Sequence, residues 1–172
     1  YDGMSTADIQ GILVKSASDL IDLDSPNYQY VASRLLLFGL RKNLYGRLHE
    51  LPTLLDQITR GVDKGIYDAD ILKKYNTDEI SVLDNIIDHN RDYLFTYAGM
   101  RQVTDKYLVQ DRSTGEVYET PQFMYLLIAM TIFAEYPEEN RLDYVTRYYN
   151  AISKHKINIP TPIMGGVRTP IR

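Results

Sequence analysis

The sequence predicts a mainly α protein: a helical domain with one small β-hairpin and a C-terminal strand completed by residues elsewhere. Three observations carry that prediction. Apolar residues recur at helical spacing through most of the 172 positions, with capping residues where the runs start. One Gly-containing turn lies between two alternating runs. The last stretch is apolar but broken by prolines and glycines.

The first helix starts at Ser5 or Thr6, either of which can cap it, and carries Ile9, Ile12, Leu13, Ala17, Leu20 and Ile21 at helical spacing. Asp22-Leu23-Asp24 breaks the pattern. Ser25-Pro26 is a second start signal, a capping hydroxyl followed by proline at the first helical position. The helix it opens holds Tyr30, Val31, Leu35, Phe38 and Leu40 and stops at Gly46. A weaker helix is expected over 52–62, with Gly61 and Gly65 marking the turn after it. Short helices are expected over 69–75 and 77–87, the second with Asn76 and Glu79 as a capping box. Residues 93–104 are ambiguous, helical in their later part.

Lys106 to Gln110 and Glu116 to Glu119 flank Asp111-Arg112-Ser113-Thr114-Gly115, which is the hairpin signal. Thr120-Pro121 opens the most apolar segment, Phe123 to Phe133. It is about half the ~20 residues a membrane helix needs, so it reads as a buried core helix. A further helix over 138–153 places Leu142, Val145, Tyr148, Tyr149 and Ile152 on one face. Residues 157–167, with Pro160, Pro162, Gly165 and Gly166, read as an extended strand because they cannot be helix interior.

Length allows one domain with a real core. A net charge of -4 leaves no electrostatic footprint for nucleic acid and no polybasic membrane surface. The absence of cysteine removes disulfides, thiolate metal sites and a thiol nucleophile from this chain. With Tyr rather than Met at position 1, the chain is expected to begin inside a longer one.

The candidate chemistry is sparse. His49, His89 and His155 match no metal-ligand spacing, so structural roles are expected and no metal ligand is assigned. His89-Asn90-Arg91-Asp92 superficially resembles a kinase catalytic loop, but no Gly-rich loop or Asp-Phe-Gly accompanies it. The plain reading is a charged helix end with Arg91 paired to Asp88 or Asp92. Lys42, beside Arg41, reads as a helix-end charge, and Thr6 as a cap. Thr161 stands between two prolines, its hydroxyl presented on a backbone with two fixed φ angles. Taken alone, these residues describe a soluble, mostly helical domain without a stated function.

A set of segments in a fixed order then resembles the large subunits of class I ribonucleotide reductases. They are Tyr1-Asp2-Gly3 with Thr6-Ala7-Asp8-Ile9, Pro26-Asn27-Tyr28-Gln29-Tyr30-Val31-Ala32, Leu40-Arg41-Lys42, and Tyr45-Gly46. Asp88-His89-Asn90-Arg91-Asp92, Lys106-Tyr107-Leu108-Val109, Gly115-Glu116-Val117-Tyr118-Glu119, Gln122-Phe123 and Tyr136-Pro137 follow. Ile159 to Pro170 closes the set and looks like the strand that opens the family's catalytic barrel.

The resemblance implies a cytoplasmic enzyme that reduces ribonucleoside diphosphates to 2′-deoxyribonucleoside diphosphates for DNA synthesis. It implies 1–46 as the C-terminal part of an ATP-cone, 47–156 as the helical N-terminal domain, and 157–172 as the start of a ten-stranded α/β barrel. Thr161 matches a substrate-binding threonine, and Thr6 and Lys42 match positions of the ATP or dATP effector site. The partners implied are the remainder of the large subunit and a metal-containing small subunit that supplies the radical. No cofactor, nucleic acid or membrane is expected for this chain. The reacting cysteines of the family lie outside it, so it holds no catalytic residue and alone is expected to be inactive. The alternative is a non-catalytic helical module that binds nucleotide or another protein.

Overall fold

A computed structural model describes residues 3–170. Tyr1 and Asp2, the first two residues of the resemblance, and Ile171 and Arg172, the last two of the expected barrel segment, lie outside the described residues.

Helix α1, Thr6–Asp19, is capped by Ser5, whose hydroxyl accepts the Asp8 N–H at 3.1 Å. Helix α2, Tyr28–Tyr45, begins two residues after the expected Pro26, because residues 25–30 first close i,i+3 turns. It ends at Gly46, where φ is +69°. Helix α3, Leu54–Asp63, is capped by Thr53, and α4 is the short Asp70–Lys74. Helix α5, Thr77–Asp84, carries the expected capping box of Asn76 and Glu79. A 3₁₀ helix, His89–Leu94, and α6, Tyr97–Lys106, divide the ambiguous region between them.

Helix α7, Pro121–Ile132, is the axis of the core: every residue from Pro121 to Met130 is buried. An all-round apolar helix has no face to give to water, so other elements must wrap it. Helix α8, Glu138–Ser153, lays Val145, Tyr149 and Ile152 against it. A buried bidentate pair joins α8 to α5, with Arg141 Nε on Glu79 Oε1 at 2.7 Å. The Tyr75 hydroxyl donates to the Met130 carbonyl at 2.7 Å. Helix α1 packs on α2 through Val14 and Ala17, while Ile9, Ile12, Leu13, Leu20 and Ile21 remain exposed.

Two expectations need correction. The hairpin turn forms: the Gly115 N–H donates to Asp111 O at 2.7 Å, and Gly115 has φ +74°. Pairing, however, is a single antiparallel bridge, Gln110 with Val117. Side chains have replaced the next rung. The Val109 N–H goes to Glu119 Oε1 at 2.8 Å, and the Tyr118 carbonyl accepts from Gln57 Nε2 at 3.0 Å.

The C-terminal strand does not form either. Residues Thr161–Gly166 are a short helix, α9, with Pro160 at its N-cap and Pro162 in its first turn. Proline is excluded from a helix interior but suited to the first turn, where the missing N–H has no helical partner to lose. The Pro160 carbonyl accepts from Ile163 and Met164 N–H at 3.0 and 3.1 Å.

Candidate functional site

Thr161 is the first residue of α9 and is exposed. Its Oγ1 lies 3.4 Å from the Tyr107 hydroxyl, which comes from the residue just after α6. Two hydroxyls thus stand side by side at the surface. Beside them opens a cavity of about 490 Å³ lined by Phe95, Tyr107, Tyr125, His155, Asn158 and Met164, among others. The His155 ring lies tilted at 57° against Phe95 with ring centres 4.6 Å apart, and its backbone takes φ +55°. Burial holds its imidazole pKa below the ordinary value.

Behind this surface lies a chain of buried polar groups. The Arg168 side chain is 1% exposed and the Glu119 side chain 0%, and the two form an ion pair. Arg168 Nε reaches both carboxylate oxygens at 3.0 and 3.1 Å, and Nη2 also contacts Oε1. Nη1 donates to the Met164 carbonyl at 2.6 Å, and Nη2 to the Tyr107 carbonyl at 2.9 Å. Glu119 Oε2 accepts from the Tyr67 hydroxyl at 2.8 Å, and Gln57 Nε2 donates to that hydroxyl at 2.9 Å. Tyr45 donates to Gln57 Oε1 at 3.0 Å. Burial, reinforced by Glu119, pushes the Tyr67 pKa well up, so it remains a proton donor.

Thr6 and Lys42 belong to the α1–α2 pair, and both are exposed. Gln10 Nε2 donates to the Leu35 carbonyl at 2.5 Å, and the Gln10 side chain lies against Gly39. One turn back from Gln10 is Thr6, and one turn on from Gly39 is Lys42, so the antiparallel register places both at the same end of the pair. A second cavity, about 690 Å³, opens beside the pair, lined by Gln10, Val14, Gly39, Asn43, Arg60 and Arg101 among others. Neither Thr6 nor Lys42 lines it. Thr161 stands on a different group of elements, since α9 packs on α7.

Of the two expected pairings of Arg91, the one with Asp88 forms, at 3.4 Å, and Arg91 also donates to the Ser153 hydroxyl at 2.7 Å. Asp92 is taken by Arg41 instead, at 3.2 Å. Among the described residues no group of three or more His, Asp or Glu is arranged to hold a metal ion. None of the helices there is long and apolar enough to cross a membrane. Sequence reasoning assigned no role to Glu119, Arg168, Tyr107, Tyr67 or Gln57. The available signal was Glu119 itself, a carboxylate four positions before the most apolar run of the chain. As it stands, the arrangement offers hydrogen bonds to a polar ligand from an exposed hydroxyl pair on a rigid base.

Comparison with known proteins matches residues 93–172 to the family described as "Ribonucleotide reductase, all-alpha domain". Over all 172 residues the chain is 51% identical to the ribonucleoside-diphosphate reductase 1 subunit alpha of Escherichia coli (strain K12), covering 22% of that protein. It is 50% identical, again over its whole length, to the corresponding subunit alpha of Haemophilus influenzae, covering 23% of it. The subunit alpha of Enterobacteria phage T4 is 47% identical over 171 residues, 99% of this chain and 22% of that one. The chain thus spans about a fifth of the length of the curated relatives it matches.

Proposed function

We propose that this chain belongs to the ribonucleotide reductase large-subunit family, on the match over residues 93–172 and the similarity along its whole length, and that it serves as the helical region of such a subunit. The complete enzyme reduces ribonucleoside diphosphates to 2′-deoxyribonucleoside diphosphates in the cytoplasm. A metal-containing small subunit supplies its radical, and the reacting cysteines come from the remainder of the large subunit. This chain contributes contacts rather than chemistry.

In this reading residues 1–46 form the C-terminal part of an ATP-cone, 47–156 the helical N-terminal domain, and 157–172 the start of the catalytic barrel. Thr6 and Lys42 hold ATP or dATP, the lysine as a point charge for phosphate. Thr161 holds the substrate nucleotide. The observation that carries the reading is identity of about half the residues over all 172 positions of the chain. The exposed Thr161 hydroxyl on a Pro-Thr-Pro helix start supports the substrate role, because its direction is set before anything binds.

The test is Thr161→Val in the complete large subunit, assayed with the small subunit over a range of diphosphate concentrations. The change removes a hydroxyl at nearly constant shape. The expected outcome is a raised KM with an unchanged melting temperature. Full activity at every concentration would remove Thr161 from the substrate site.

A further inference from the structure

Helix α9 has six residues and buries none of them completely. A helix that short has little stability of its own. Its position is therefore set by what anchors it: the half-buried Ile163, Met164 and Val167, which pack on the core, and the fully buried Arg168 two residues past its end. The guanidinium of Arg168 does two things at once. Nη1 holds the Met164 carbonyl, inside α9, and Nη2 holds the Tyr107 carbonyl. Those are the two backbone segments that present the adjacent Thr161 and Tyr107 hydroxyls. The fork is itself held by Glu119, and Glu119 by Tyr67 and the Val109 N–H.

Resting on the reading of Thr161 as a substrate contact, we propose that Arg168 and Glu119 are positioning residues of the nucleotide site, setting the Thr161 hydroxyl where the diphosphate meets it. Only a planar group with donors on several edges meets these acceptors together. A lysine ammonium keeps the charge but not the directions. Neither residue touches substrate; both act through Thr161.

The experiment uses the complete large subunit with its small subunit and reads kcat and KM for a ribonucleoside diphosphate. Arg168→Lys is expected to raise KM about tenfold, the scale of one lost hydrogen bond to a bound ligand, with kcat little changed. Tyr67→Phe, which removes one support of Glu119 together with the hydroxyl that Gln57 donates to, is expected to raise KM in the same direction by less. Because Arg168 acts through Thr161, the double variant Arg168→Lys with Thr161→Val is expected to show no larger KM than Thr161→Val alone. A merely structural Arg168 gives a different pattern: kcat falls with the folded fraction, KM stays, and the effects of the two changes add. That pattern overturns the proposal, as does a normal KM in Tyr67→Phe when Arg168→Lys does not fold. Thr161→Val without effect on KM removes the substrate reading beneath it. Thr161→Val with a raised KM, beside normal Arg168→Lys and Tyr67→Phe, removes the positioning role alone.

Discussion

Arg41 on α2 and Asp92 on the 3₁₀ helix meet at 3.2 Å across 51 residues of sequence, with side chains 3% and 0% exposed. Gln122 of α7 donates to the other oxygen of Asp92 at 2.9 Å, and Tyr149 of α8 donates to Gln122 at 2.8 Å. One carboxylate thus ties α2, the 3₁₀ helix and α7 together, with α8 one step behind. Such a pair repays its desolvation only while both members are present.

Arg41→Met is therefore expected to cost about 3–5 kcal/mol, because it strands a buried carboxylate. The joint change Arg41→Met with Asp92→Leu is expected to cost less than Arg41→Met alone. Urea denaturation measures both. Lys15→Ala, which removes an ion pair whose side chains are 76% and 61% exposed, serves as the contrast and leaves the midpoint where it was. An Arg41→Met midpoint equal to that of Lys15→Ala refutes the account.

His89 lies edge-on to Phe123 with centroids 4.9 Å apart, and burial, aided by Arg41, lowers its pKa to about 4 from 6.5. Asp88 acts in the opposite sense. The folded value is below the unfolded one, so the unfolded chain takes up the proton first. The stability contribution is present above pH 6.5 and is lost as the pH falls toward about 4. Asp92, raised to about 6 by burial, has the opposite slope between its ordinary 3.8 and that value and offsets part of the loss. In melting curves at neutral pH and near pH 4.5, His89→Asn is expected to lose less of its melting temperature than the parent chain. Parallel losses in the two proteins refute this.

The helical glycines Gly61 and Gly11 are expected to respond oppositely to alanine. A Cβ on Gly61 would sit 2.1 Å from the Tyr67 ring, which is buried and cannot move aside without releasing Glu119. Gly61→Ala is expected to destabilise by about 1–3 kcal/mol through overpacking. A Cβ on Gly11 meets nothing within 4 Å, so Gly11→Ala is expected to gain about 0.5–1 kcal/mol from reduced backbone freedom in the unfolded chain. Thermal denaturation of both variants decides, and equal shifts of the same sign contradict the reading.

Elements whose cause is local were legible in the sequence. The capping box of Asn76 and Glu79, the stop at Gly46 and the buried α7 all follow from neighbouring residues, and all appear in the structure. The helix at Thr161–Gly166 was misread because Pro160 and Pro162, the fourth and sixth residues of an apolar segment, suit a helix start as well as they break a helix interior. The spacing of Ile9, Ile12 and Leu13 announced an apolar face on α1, but periodicity does not say whether anything covers it, and here they are exposed. Least legible were the buried charges. A lone Glu119 or Asp92 reads as surface, and only a cation 49 or 51 residues away makes its burial tolerable. Thr161 could be singled out by its prolines, whereas its neighbour Tyr107 stands 54 positions earlier and carries no local mark.

The Glu119–Arg168 pair also bears on the order in which the protein can be completed as it is made. Translation delivers the carboxylate 49 residues before its counter-ion. In the folded domain the hairpin turn, α3 and the Tyr67 loop close around that acid, and chains emerge N-terminus first, so its burial as an ion pair waits on a cation made later.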